Sequence, residues 1–389
     1  MIMAPSRLQI KLHLALLTLA RTVVNTSYRM VYPFLPIFAR ELGVEPASLG
    51  MALSIRSLLG VFGPFLATVA DTRNRKTGIL LGLGLFTVGS GVVGISPTFW
   101  SFILGTSLVL LGNGVFIPSL NAYLGDHFAY ENRGRVLAIT ELSWAVAFIA
   151  GVPLMGALIE SYNWLTPFFV LTGAGVFLFL FFALILPGGK APQTEGNTLW
   201  LNLSRIVKTW PAFAGLLVGM LISSANETVN LIFGVWIENQ FGLSFAALTA
   251  ASIVIGVSEL GGEIFTGLWL DSIGKKRTIW YFLGLNSLAA LILPLTGGSL
   301  TGSLIGLGFF YITFEIMLVS LLTLMSEVLP EARATILAMT IAGFSLGRMV
   351  GNLISPGLFG IGFWATCAAA VILNLIAAGL LSQVHVKSR

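Results

Sequence analysis

Arg29, Arg56, Glu227, Glu259, Glu315 and Arg348 stand inside long apolar runs of this 389-residue sequence, each near the middle of its run. A charge at the centre of a bilayer costs at least about 2.5–3.5 kcal/mol unless it faces water or a partner. Each of these residues therefore marks a solute pathway, a proton-binding group or a buried structural pair. Arg21, Glu141 and Glu263 lie nearer the ends of their runs. Asn25 and Arg29 are four apart, as are Asn226 and Asn230 around Glu227, so each pair shares one helical face. Glu259 and Glu263 share a face too, where two carboxylates can hold one proton between them. Arg56, Glu259, Glu263 and Arg348 read as a proton site or as structural pairs.

The chemistry that is missing narrows the class. Cys367 is the only cysteine, and His13, His127 and His385 are far apart in sequence, so no disulfide, metal-ligand spacing or H-E-x-x-H is present. No cofactor is expected, and no nucleophile and base converge as an enzyme needs. Gly89-Ser-Gly91-Val-Val-Gly94 matches the dinucleotide fingerprint by letter, but inside an apolar run rather than between strand and helix.

These residues need helices to position them. Hydrophobic residues make up 56% of the chain and charged ones 10%, and the mean hydropathy is +0.93. Soluble domains carry about 25% charge, so the composition belongs to a multi-pass membrane protein. Runs of spanning length fall at 11–38, 47–70, 77–96, 100–123, 136–159, 164–187, 210–237, 246–269, 278–297, 301–326, 335–357 and 361–383. The start resembles a signal peptide, yet Arg21 interrupts it and no small-x-small site follows, so it reads as the first span.

The net charge of +5 sits in the gaps between runs rather than in a nucleic-acid-binding stripe. One set of gaps holds Arg7, Lys11, Arg73, Arg75, Lys76, Arg133, Arg135, Lys190, Arg205, Lys208, Lys275, Lys276, Arg277, Arg333, Lys387 and Arg389; the other holds Arg40 alone. The asymmetry puts both termini on the cytoplasmic side of the cell membrane.

The polar stretch from Gly188 to Thr209 divides the chain into 1–187 and 210–389, joined by a cytoplasmic linker, 188–209. The halves echo each other at an offset of 200 residues. Asp71 with Arg75-Lys76 recurs as Asp271 with Lys275-Lys276; Glu131, Arg133, Leu137, Ala138 and Thr140 recur as Glu331, Arg333, Leu337, Ala338 and Thr340. An all-α fold of two pseudo-symmetric six-helix bundles, with a site between them at mid-membrane, is the expectation.

Gly267-Leu-Trp-Leu-Asp271-Ser-Ile-Gly274-Lys275-Lys276 carries the glycines, aspartate and paired bases of the loop signature G-x-L-x-D-x-x-G-[RK]-[RK]; the first copy has Ala67 and Asn74 in place of the glycines. With the twelve-span plan, the chain resembles the major facilitator transporters, most closely the drug-efflux and small-solute exporters. The resemblance implies alternating access without enzymatic activity, and a central cavity lined by spans one, four, seven and ten. That makes Asn25, Arg29, Asn113, Asn226, Glu227, Asn230 and Glu315 the candidate substrate and proton site, with Glu227 carrying the proton and Arg29 as its charge partner. It also implies that Asp71 and Asp271 face helix N-termini of the opposite half, forming with Arg75, Arg133, Lys275 and Arg333 a cytoplasmic latch; topology alone would explain only the bases. Gly151-Val-Pro153-Leu-Met-Gly156 resembles the Gly-Pro element of antiporters with one residue inserted, or is ordinary small-residue packing. Leu108 stands where some proton-linked members carry an arginine ahead of Gly112. A small solute, protons and membrane lipids are the expected partners of a monomer. A lipid or lysolipid flippase, or a membrane-embedded receptor or enzyme scaffold, is the alternative.

Overall fold

The computed structural model describes residues 7–66, 74–128, 130–188 and 198–385. Ala67, Asp71, Arg73, Lys190, Lys387 and Arg389 lie outside the described residues. The elements are α1 Arg7–Arg29, α2 Leu35–Glu41, α3 Pro46–Leu59, α4 Arg75–Ile95, α5 Phe99–His127, α6 Tyr130–Val146, α7 Val152–Ser161, α8 Thr166–Ile185, α9 Thr198–Lys208, α10 Trp210–Phe241, α11 Phe245–Ile273, α12 Lys275–Ile292, α13 Leu300–Val328, α14 Arg333–Ile361 and α15 Phe363–Leu381. Among the described residues there is no strand.

Among the described residues, eleven helical segments are long and apolar enough to cross a membrane: one built on α3, then α4, α5, α6 with α7, α8, and α10 through α15. The first expected span, 11–38, is instead broken. α1 ends at Arg29, the chain turns through Met30–Phe34, and α2 resumes at Leu35 with Pro36 in its first turn. Pro33 has no N–H to continue the ladder, and its ring would crowd the preceding turn. Irregular backbone survives at membrane depth only where protein or a cavity surrounds it; Met30, Val31 and Phe34 are wholly buried and Tyr32 nearly so. Within the stretch 188–209 lies the helix α9.

Two compact units emerge. One holds Met1–Val31 and Phe65–Glu195, the other Tyr32–Pro64 and Gly196–Arg389. The chain changes unit inside the break, between Val31 and Tyr32. Within the second unit α3 lies along α14: a Cβ on Gly50 would sit 2.8 Å from the Asn352 carbonyl, and the Ser54 hydroxyl donates to the Met349 carbonyl at 3.1 Å.

In the first unit α4 and α5 are pressed together at Gly89 and Gly105, where a Cβ on either would come within 2.5 Å of the other's carbonyl oxygen. The fingerprint-like glycines are thus packing residues. α8 is 28% buried and shows Phe177 and Leu184 outward, as a lipid-facing helix must. At the other extreme α10, in the second unit, is 83% buried. Protein surroundings let it carry the polar run Asn226-Glu227-Thr228-Val229-Asn230.

Candidate functional site

At the middle of α10 the Glu227 carboxylate is 1% exposed and fully committed. The Tyr32 hydroxyl donates to its Oε1 at 2.9 Å, and the Asn230 amide donates to Oε2 at 3.1 Å. Tyr32 in turn accepts from Arg56 Nη2 at 2.8 Å, and Tyr311 of α13 donates to Asn230 Oδ1 at 2.6 Å. Five side chains from the break, α3, α10 and α13 thus form one chain of hydrogen bonds with an ion at each of two places. Arg56 stands one hydrogen bond from the carboxylate, through Tyr32, and Arg348 lies one helical turn before Gly351 on α14. Arg348 is delivered by α14, which lies tight on α10 because Gly351 has no side chain: a Cβ there would sit 2.6 Å from Glu227 Cβ and 2.9 Å from the Ser224 carbonyl. The break is held just as closely, since a Cβ on Gly234 would meet the Pro33 carbonyl at 2.6 Å.

Asn226 is buried beside Glu227 with an Oδ1 that has no hydrogen-bond partner, an acceptor left open next to the carboxylate. Glu315 is buried on α13 where Gly262 of α11 packs against it at 2.8 Å from a built Cβ. Glu259 is buried on α11 and Glu263, one turn on, is half-buried.

The first unit has its own polar seam. Arg21 holds both oxygens of Glu141, at 2.9 and 2.6 Å, and the Asn25 amide donates to Ser143 at 3.2 Å. Arg29 donates to the Trp144 carbonyl at 2.9 Å, and its guanidinium lies 4.3 Å from the centre of the Trp144 ring and 3.4 Å from that of Phe148. Arg29 and Glu227 belong to different units. From sequence, Arg29 is paired with Glu227, and Arg56 and Arg348 read as a proton site or structural pairs; within the second unit Arg56 reaches Glu227 through Tyr32. Asn113 is half-buried on α5, with Oδ1 lacking a partner.

Between α6 and α7 the chain makes a π-turn, Ala147–Gly151, one residue short of Pro153. A π-turn is what one extra residue does to an α-helix, and this one ends at Gly151, the first residue of the Gly151-Val-Pro153 sequence. Its Gly151 receives α1, a Cβ there falling 2.0 Å from Thr26 Oγ1.

The charged turns show the repeat in atomic detail. Arg75 donates to Asp126 at 3.0 Å and Lys76 to the Ala183 carbonyl at 2.6 Å. Lys275 likewise pairs with Glu327, and Lys276 donates to the Ser382 and Val384 carbonyls at 3.0 and 2.8 Å. Each second base so caps the carbonyl end of the last span of its unit. Arg133 and Arg333 donate to the Phe128 and Ser326 carbonyls at 3.3 and 3.0 Å. Asp271 is 95% exposed and 3.9 Å from Lys275. Gly274 takes φ +94° between α11 and α12, which favours glycine, whereas Asn74 keeps φ −59° and caps α4 by accepting from Lys76 N at 3.0 Å. That difference explains why the first copy tolerates Asn74. In the second unit Arg40, near the end of α2, pairs with Glu238, near the end of α10.

Tyr32 and Tyr311 are the residues that sequence reasoning missed. Their signal was a phenol inside an apolar run, which needs a hydrogen-bond partner once buried.

The profile of the Major Facilitator Superfamily matches residues 17–352. The chain is 24% identical over 341 residues to the "Uncharacterized MFS-type transporter YceJ" of Bacillus subtilis (strain 168), covering 87% of this chain and 86% of that one. It is 26% identical over 311 residues to "Multidrug resistance protein MdtG" of Yersinia enterocolitica, covering 75% and 72%. Among solved structures, that of a point variant of the nucleoside transporter NupG superposes with TM-score 0.77 at 15% identity, covering 97% of this chain and 100% of that one.

Proposed function

The chain belongs to the Major Facilitator Superfamily, and from that premise we propose that it exports a small solute from the cytoplasm by alternating access, driven by proton entry through Glu227. It is a multi-pass membrane transporter of a small molecule and not an enzyme. The finer reading adds the cytoplasmic membrane, both termini inside, and a monomer among lipids; the basic residues crowded into alternate loops support that orientation.

The observation that carries the reading is the Glu227 centre: a carboxylate midway along the most enclosed span, bonded to a phenol on a broken helix that accepts in turn from the Arg56 guanidinium. Discontinuous helices are where transporters of this kind place coupling ions. A carboxylate's hold on a proton depends on how buried it is and how near its cations stand. Tyr32, Arg56, Glu227 and Arg348 all lie in one unit, so in a rocking motion they move together while the burial of the carboxylate changes. Proton affinity then differs between the two end states, which is what coupling requires. Asn226, with its open acceptor, and Asn25, Arg29, Asn113 and Glu315 complete the proposed cavity set, and Asp71 and Asp271 the cytoplasmic latch. Efflux is favoured over uptake by the multidrug-resistance relatives.

The test is proton movement in proteoliposomes containing trapped pyranine, challenged with a panel of labelled lipophilic drugs. Drug-dependent proton flux is expected. Drug exchange with no proton flux contradicts the coupling, and lipid scrambling with no drug exchange makes the protein a flippase.

A further inference from the structure

We propose that α9 is a membrane-surface helix that docks on anionic lipid headgroups. Its sequence, Thr198-Leu-Trp-Leu-Asn-Leu-Ser-Arg-Ile-Val-Lys208, contains no acidic residue, and Arg205 and Lys208 are both exposed. One face is already taken by the protein. Ile206 is wholly buried in the apolar cluster that includes Val328, Leu329, Ile336 and Leu381, and the Asn202 amide reaches Thr335 Oγ1 at 3.4 Å. The helix is therefore pinned to the ends of α13, α14 and α15 rather than trailing in solvent.

The remaining face is the informative one. Leu201 is 61% exposed and Val207 52%, beside the two cations. At Thr209 the backbone turns extended, with φ −94° and ψ 99°, and α10 begins afresh with Pro211 in its first turn. Its first residue, Trp210, is 51% exposed and marks the level at which aromatic residues meet the headgroups. α9 thus ends where the membrane surface begins, bent away from the span that crosses it. Apolar side chains flanked by lysine and arginine suit the boundary between acyl chains and negative headgroups. Charge complementarity and continuity with the lipid-facing surface at Trp210 favour lipid over a soluble protein partner.

The experiment replaces the single buried cysteine, Cys367→Ala, and places a bimane label at Ser204→Cys, an exposed position of α9. The full-length protein is put in nanodiscs of phosphatidylcholine alone or with one part in three phosphatidylglycerol, each carrying a headgroup-proximal nitroxide lipid. Quenching should be stronger in the anionic discs and fall with added salt. Arg205→Gln with Lys208→Gln should weaken docking roughly thirtyfold, about fivefold for each basic residue near an anionic surface. Both residues are exposed, so the variant keeps the fold. Equal quenching in the two lipids, or no change in the double variant, overturns the proposal. So does the absence of quenching in either lipid, which would assign the face to solvent or to a protein partner.

Discussion

Removing one oxygen tests whether the Glu227 centre is a connected network. In Tyr32→Phe the ring stays and two bonds go, to Glu227 Oε1 at 2.9 Å and from Arg56 Nη2 at 2.8 Å. Each has a charged partner, and such bonds are worth about 1.5–3 kcal/mol. Glu227 keeps Asn230, and Arg56 has other donors, so the loss should fall short of the roughly 3–5 kcal/mol of a fully stranded buried ion. We expect about 2–3 kcal/mol. Glu227→Gln strikes the same contacts, so the double variant should lose little beyond the worse single one, a coupling on the order of 2 kcal/mol. The assay is thermal unfolding of the single and double variants in one detergent at one protein concentration. Strictly additive losses would refute the network. As an internal scale, Tyr311→Phe breaks a bond between neutral groups and should cost about 1 kcal/mol.

Three further outcomes follow from packing and the charged turns. Gly351→Ala should cost about 1–3 kcal/mol and lower yield, because its Cβ meets Glu227 Cβ and a backbone carbonyl; Gly267→Ala, with nothing within 4 Å, should stay within about 0.5 kcal/mol in the same melts. Deleting Ala150 from the π-turn should leave a monodisperse protein, because the flanking helices keep their register when the extra residue goes, whereas deleting Ala157 from α7 should not; size-exclusion profiles decide between them. Asp271→Asn should insert and fold normally, as an exposed side chain allows, yet slow drug exchange and raise labelling of engineered cysteines from the cytoplasmic side; exchange at the parent rate would leave that charge with topology alone.

Much of the architecture was legible because bilayer length and charge placement are written residue by residue. The limits are equally physical. Pro33 and Pro36 were visible, but membrane helices tolerate proline, so only the burial of Met30–Phe34 shows that the ladder stops there. Asn226, Glu227 and Asn230 stood out as polar residues in an apolar run, whereas the approach of Arg56 to Glu227 through Tyr32 depends on α3 and α14 converging at Gly50, Gly351 and Asn352. No periodicity within one helix encodes such a convergence. Helix α9 escaped notice because its apolar run is short and interrupted by Asn202, Ser204 and Arg205.

The central claim, that Glu227 couples proton entry to solute exit, is tested most directly by Glu227→Gln in proteoliposomes loaded with a drug the parent protein transports. Two rates are measured in the same preparation: accumulation driven by a pH gradient, and exchange of labelled for unlabelled drug at equal pH. The account predicts that gradient-driven accumulation is abolished while exchange at equal pH continues near the parent rate. Accumulation against a concentration difference by Glu227→Gln, under the same pH gradient, would contradict it and move the coupling to Glu315 or Glu259.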